Sequence, residues 1–170
     1  MKQTLKYIYE RLESNMKFAE SKHGITIALA GAVVVFATSF LNLSTPLIAT
    51  LSAGTIVFAL ISVLYSFIAL SARKVSTRKI LKKSIENCNL LYYKNIIKFE
   101  PDDYVMAIKN EYNMPKSYKP DQFDRDLAMQ IISVAKVTNL KFFYFNMSLV
   151  FLFLSLSCSV ALIIILGLPI

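Results

Sequence analysis

Few side chains in this 170-residue chain are suited to bond-making chemistry. His23 is its single histidine, placed at the entrance of a long apolar stretch, and no Ser/His/Asp or Cys/His constellation is supported around it. Four glycines form no phosphate-cradling loop, and no group of His, Cys, Asp and Glu has metal-ligand spacing. The best acid pair, Asp102/Asp103, directly follows Pro101, where a helix is expected to begin and where acid offsets the positive end of the helix dipole. Cys88 lies in a charged segment and Cys158 in an apolar one, so no disulfide is implied. The chain is therefore expected not to be an enzyme and to carry no cofactor and no metal.

What the sequence carries instead is a partition of charge. All 19 Lys and Arg and all 11 Asp and Glu fall in residues 1–22 and 73–141; residues 23–72 and 142–170 have none. A charged side chain at the bilayer centre costs about 2.5–3.5 kcal/mol on insertion scales, so lipid enforces such a partition. A soluble core seldom excludes charge for 50 consecutive residues. The net +8 divides as +2 before residue 23 (five basic, three acidic) and +6 in 73–141 (fourteen basic, eight acidic). Lysine and arginine at these places hold topology and meet anionic headgroups, so no nucleic-acid polymer is expected as a partner.

The elements follow. A bilayer core about 30 Å thick needs about 20 helical residues, so 23–72 holds two spans, broken at Asn42-Leu43-Ser44-Thr45-Pro46. Asn42 can close the first helix, Thr45 can cap the second, and Pro46 suits its first position. The expected fold is all-α: an integral membrane protein with three transmembrane helices and a small helical cytoplasmic domain. Its segments are a cytoplasmic N-terminal helix 1–24, spans at 25–43 and 46–70, a cytoplasmic helical domain 71–144, and a third span at 145–168. Basic residues flank the spans on one side only, which predicts that the N-terminus and residues 73–141 are in the cytoplasm and the C-terminus outside.

Leu5, Ile8, Leu12, Met16 and Ala19 have helical spacing, and that helix is expected to run on into the first span. Residues 71–87 read as helical, and Asn89-Leu90-Leu91-Tyr92-Tyr93 as extended. A helix should run from Pro101 to about Tyr112, with a loop over 113–120. From an Asp121 cap, one breaker-free helix of about 45 residues is expected, with Phe123, Leu127, Ile131, Val134, Thr138, Lys141 and Phe145 on one stripe. No span carries an ionisable residue, which disfavours an active transporter. Small residues recur at helical spacing at Gly24/Ala28/Ala32, Ala49/Ala53 and Ser148/Ser155/Ser159, fitting close helix contact either within one chain or between copies.

Three segments carry a resemblance. Phe18-Ala19-Glu20-Ser21-Lys22 runs into a span; Asn95-Ile96-Ile97-Lys98-Phe99-Glu100-Pro101-Asp102-Asp103-Tyr104 leads into a helix; Asp126-Leu127-Ala128-Met129-Gln130-Ile131 is followed by Ser133, Lys136 and Lys141. In this order and topology the chain resembles the Pycsar effector transmembrane family of bacterial antiphage effectors. The resemblance implies activation by a cyclic pyrimidine mononucleotide (cUMP or cCMP) from a neighbouring cyclase, and abortive infection through loss of inner-membrane integrity. Its expected partners are the lipid bilayer, that cyclic nucleotide and further copies of itself. The competing readings are a non-toxic scaffold that recruits a cytosolic partner and a constitutive holin-like channel.

A cyclic nucleotide needs a cation for its phosphate and an aromatic face for its base. Arg78 and Arg125 are the candidate cations, since both lie away from the membrane junctions where snorkelling explains the other basic residues. Tyr92, Tyr93 and Tyr104 are the candidate stacking partners. A surface ion pair or a core aromatic accounts for each of the five equally simply.

Overall fold

A computed structural model describes residues 1–41, 45–71, 88–115 and 117–167. These residues form α1 (Lys2–Thr38), α2 (Pro46–Ser71), α3 (Tyr93–Ile96), α4 (Pro101–Glu111) and α5 (Gln122–Gly167), with no strand among them. The protein is all-helical. Contacts divide it into two compact units, Met1–Ala19 with Ala72–Lys141 and Glu20–Ser71 with Phe142–Ile170. Both long helices, α1 and α5, contribute residues to each unit.

The first unit has a conventional apolar core. Leu5, Ile8 and Leu12 of α1 pack with Ile96, Phe99, Tyr104, Val105 and Ile108, and with Ala128, Ile131, Ile132 and Ala135 of α5. The start of α5 is fixed by a reciprocal cap: the Asp124 N–H donates to Asp121 Oδ1 at 2.9 Å and the Asp121 N–H to Asp124 Oδ2 at 3.2 Å. This is a capping box with aspartate in place of glutamate. Helix α4 starts with Pro101 and has Asp102 and Asp103 in its first turn, as the sequence predicts. It ends where Asn113 adopts φ 48°. The Met114 N–H then reaches Lys109 O and the Asn113 N–H reaches Asn110 O, a Schellman ending that asparagine tolerates better than most residues.

The second unit consists of the other part of α1, all of α2 and the other part of α5. The buried positions of α2 are Ile48, Ser52, Thr55, Ala59, Ser62, Ser66 and Ala69. They alternate steps of four and three, the 3.5-residue repeat of helices that pack in left-handed coils. Ser148, Leu152, Ser155, Ser159 and Leu162 repeat the pattern on α5, and His23, Thr26, Ala30, Val33 and Ala37 on α1.

Four expectations need correction or relocation. The first span ends earlier than residue 43: α1 stops at Thr38 because the Thr38 and Ser39 hydroxyls both donate to Val35 O, and the chain tightens into i→i+3 bonds through Leu41. Residues 89–93 are not extended. The Asn89 side chain accepts the Leu91 N–H at 2.8 Å and turns the chain directly into α3. The expected stripe of α5 holds at Ile131, Thr138 and Lys141, which are buried, but not at its start: Phe123 is 55% exposed, while Asp124 and Ala128 are buried, because the capping box turns Asp124 inward. Segment 71–87, expected as helix, and Asn42 lie outside the described residues, apart from Ser71, which ends α2.

Candidate functional site

The two units use one packing period with opposite chemistry. In the first, the packing face is made mostly of leucine, isoleucine, valine and alanine with Phe99 and Tyr104, and most of the charged residues lie outside it, Asp124 being buried. In the second, the packing face is mostly alanine, serine and threonine, and large apolar residues point away. Ile25 is 68% exposed, Val35 69%, Leu64 58% and Phe153 68%. In water that inversion would be unstable, whereas in hydrocarbon it gives close helix contact and leaves apolar side chains against lipid. Three helices are long and apolar enough to cross a membrane, and all three pass through this second unit. The chain is a multi-pass membrane protein.

Between α2 and α5 the contact includes direct hydrogen bonds between hydroxyls and carbonyls. The Ser62 hydroxyl donates to Ser148 O at 2.9 Å, the Ser148 hydroxyl to Ser62 O at 2.8 Å, and the Ser66 and Ser148 oxygens lie 2.9 Å apart. Three hydroxyl protons satisfy this knot completely: Ser62 and Ser148 to the carbonyls, Ser66 to Ser148 Oγ. Two turns further along, the Ser155 hydroxyl donates to Thr55 O at 2.8 Å, while Thr55 and Ser159 donate to carbonyls of their own helices. Ala30, Ala59 and Leu152 fill the layer between these groups. Of the three small-residue stripes, only the serine stripe is inside the unit. Gly24, Ala28 and Ala32 are exposed, and a Cβ on Gly24 would meet nothing within 4 Å.

The residues proposed for ligand recognition are dispersed. Arg78 lies outside the described residues. Arg125 Nε pairs with Asp102 Oδ1 at 2.9 Å on the surface of the first unit. Tyr104 is wholly buried, edge-on to Phe99, and its hydroxyl donates to Leu90 O at 2.8 Å. It is a core residue that holds the 89–93 turn against α4. Tyr92 is exposed, with its ring 4.8 Å from that of half-buried Tyr93. Desolvation and a hydrogen bond with Tyr92 push the Tyr93 hydroxyl up to about 12, so that phenol is neutral at physiological pH. Residues 102 and 104 leave a helix about 200° apart. The Arg125 pair and the tyrosine turn therefore attach to different faces of α4.

Sequence reasoning missed a second polar cluster in the first unit. The Tyr118 hydroxyl donates to Asp124 Oδ2, and Lys2 Nζ lies 2.7 Å from Asp121 Oδ2 and 5.2 Å from the Phe123 ring centre. The hydrogen bond to Asp124 pushes the Tyr118 phenol up to about 12. The only sequence signal for it is the Asp121–Asp124 spacing, of which Asp121 alone enters the sequence expectation, as a cap.

Residues 4–168 match the Pycsar effector protein domain. The chain belongs to the Pycsar effector family. It is by family a bacterial antiphage membrane effector, and the match covers both units. No curated protein and no solved structure matches the chain. As a Pycsar effector it must place its defensive action either in the charged first unit or in the lipid-facing second one. The interhelical hydroxyl seam, which lies in the second, is the most distinctive polar feature.

Proposed function

We propose that this Pycsar effector is a non-enzymatic membrane effector, activated by a cyclic pyrimidine mononucleotide, cUMP or cCMP, and that it ends infection by impairing inner-membrane integrity. The observation that carries the reading is the inverted polarity of the second unit. Its helices meet through serine, threonine and alanine, and hydrogen bonds of this kind in lipid contribute only about 0.6 kcal/mol each on average. Such a seam can be exchanged for another at small cost, which suits a switch. A ligand must supply about 5.5 kcal/mol of differential affinity to invert a 99:1 resting balance, and self-assembly lowers that demand by mass action. The exposed Gly24/Ala28/Ala32 face supports assembly of several copies.

The one-sided charge supports an inner-membrane orientation with the N-terminus and residues 73–141 in the cytoplasm, where the nucleotide is made. The first unit is then the sensor, and exposed Tyr92 and Arg125 are its accessible candidates for base and phosphate contact.

Bacteria expressing the chain with a cyclase for cUMP or cCMP are expected to lose membrane potential, read with a potential-sensitive dye. An adenylate cyclase or a dead pyrimidine cyclase should leave the potential intact. Depolarisation without any nucleotide would favour a constitutive channel; none under any condition would favour a scaffold.

A further inference from the structure

We infer that the leaflet on the Lys22 side of the second unit meets this unit at two heights. Phospholipid headgroups are drawn down to Lys22 along α1, while hydrocarbon climbs past that level along α2 and α5. The inference rests on the membrane placement of this unit and goes beyond the proposed function, since neither nucleotide nor membrane damage enters it.

Its basis is the register of the three helices. His23 meets Phe145, and seven residues further along both helices Ala30 clusters with Leu152, so α1 and α5 run parallel and in step. Thr55 meets Ser155 and Ser62 meets Ser148, again seven apart but in the opposite sense, so α2 is antiparallel to both. Carried on by three residues, this register brings Tyr65 level with Phe145 and His23, in keeping with the Tyr65–Tyr144 ring contact at 6.2 Å. Ser21 is then level with Phe143 and Phe67, and Glu20 with Phe142 and Ile68.

At that level the helices carry opposite chemistry. α1 has Glu20, exposed Ser21 and Lys22. Phe67 of α2 and Phe143 of α5 are each more than half exposed, Ile68 is exposed as well, and α2 carries no charged residue as far as Ser71. A flat boundary at Lys22 leaves Phe67 and Ile68 in water. One drawn at Ser71, about 7.5 Å higher, puts Lys22 in hydrocarbon. Snorkelling does not remove the conflict. The Lys22 ammonium lies 5.1 Å from the Phe145 ring centre and 5.9 Å from that of Phe142, so the charge itself stays beside these two rings.

Span lengths point the same way. The helical rise from Lys22 to Thr38, where α1 ends, is about 24 Å, and that from Pro46 to Ser71 is about 38 Å, against a hydrocarbon core of about 30 Å. Tilt fits the long span to the bilayer but shortens the short one further. The bilayer therefore thins beside α1, where the Lys22 ammonium attracts the phosphates of the headgroups drawn in.

The test is a depth measurement on the full chain, carrying Cys88→Ala and Cys158→Ala, in vesicles of phosphatidylethanolamine and phosphatidylglycerol without nucleotide. A nitroxide is attached at one exposed position at a time: Ser21→Cys or Phe67→Cys, which share a level, and Val35→Cys or Ala53→Cys, which share a level near the other end of α1 and α2. Depth is read from collisions with oxygen against those with a water-soluble nickel complex. The Ser21 label should lie among headgroups and the Phe67 label about 5 Å or more inside hydrocarbon, one helical turn deeper. The Val35 and Ala53 labels should lie at equal depth. Circular dichroism and protease resistance confirm that each labelled chain is folded and inserted.

Equal depths at Ser21 and Phe67 mean a flat boundary and overturn the inference. So does a Val35 label deeper than the Ala53 label by the same amount as Phe67 lies below Ser21, because that is a rigid tilt of the whole unit. The proposed function fails separately. A chain that never depolarises bacteria can still show the two heights, and one that depolarises them on nucleotide beside a flat boundary sinks this inference alone.

Discussion

Ser62 and Ser148 each donate to the other's backbone carbonyl, at 2.9 and 2.8 Å, so two membrane helices are tied at one point by a reciprocal pair. Such an exchange requires backbones close enough that neither residue could be larger than serine without separating them. Ser148→Ala should therefore lower the stability of the second unit by about 1–2 kcal/mol, since two donors or acceptors of the knot go at once. Ser148→Leu should cost more, by forcing the helices apart. Unfolding of the full chain from micelles, followed by tyrosine fluorescence, measures both.

Tyr104→Phe tests the claim that this tyrosine is structural. It leaves Leu90 O buried without its donor, at a cost of about 1–3 kcal/mol, while keeping the ring packed on Phe99. The response to cUMP or cCMP, measured at a temperature where the variant is folded, should be unchanged. A selective loss of response would return Tyr104 to the ligand site.

Arg125 makes the opposite case. Its pair with Asp102 is exposed on both sides, so Arg125→Gln should change stability by less than about 1 kcal/mol. If Arg125 meets the phosphate, the same variant raises the nucleotide concentration needed for depolarisation at least tenfold, and Asp102→Asn does not. Titration of the potential-dye signal against permeant nucleotide analogue reads the difference.

The Lys2–Asp121 pair gives a pH dependence at both ends of the scale. The hydrogen bond from Lys2 holds the Asp121 carboxyl below its ordinary value, and the same bond holds the Lys2 ammonium above its own. The carboxylate's contribution is present above the ordinary carboxylate value and is lost as pH falls through the depressed one. The ammonium's contribution is present below the ordinary lysine value and is lost as pH rises through the raised one. Stability of the native chain should thus show a plateau through neutrality that falls at both limits. In Asp121→Asn the plateau is lower and the acid limb shallower in a thermal melt series.

Gly substitutions at Lys141 and Phe142 interrupt α5 where the chain passes from one unit to the other. Each glycine costs about 1 kcal/mol of helix propensity. Insertion and nucleotide binding should survive, while depolarisation on nucleotide should be lost if α5 carries the signal. Persistent depolarisation would require another route.

Much of this was legible in the sequence because lipid and helix periodicity leave coarse signals. The three apolar helices followed from the absence of Asp, Glu, Lys and Arg over two long stretches, and α4 from Pro101 and its acids. The long α5 followed from a run without breakers. What failed were details decided by single hydrogen bonds. Thr38 and Ser39 end α1 through Val35 O, and no propensity distinguishes them from other hydroxyls in a span. Asn89 turns a segment whose aromatic content suggested extension. The inward turn of Asp124 moved the α5 stripe off Phe123, since an acid is not usually counted as a buried position. The serine stripe was visible, but its pairing with Ser62, Ser66 and Thr55 was not, because register between helices leaves no mark in a single sequence.

The first unit is assembled from the two sides of a membrane hairpin in sequence, and that imposes a schedule on synthesis. Leu5, Ile8 and Leu12 leave the ribosome first, but the residues they pack against, through Ala135, emerge about 6–25 s later at ordinary translation rates. In the interval α1 and α2 must enter the bilayer while the early leucine stripe has nothing to cover it. A nascent chain stalled before residue 128 should therefore expose this stripe to chaperones and proteases, and one stalled after the core is complete should not. Such a delay keeps the unfinished chain from completing its first unit until most of it has been made.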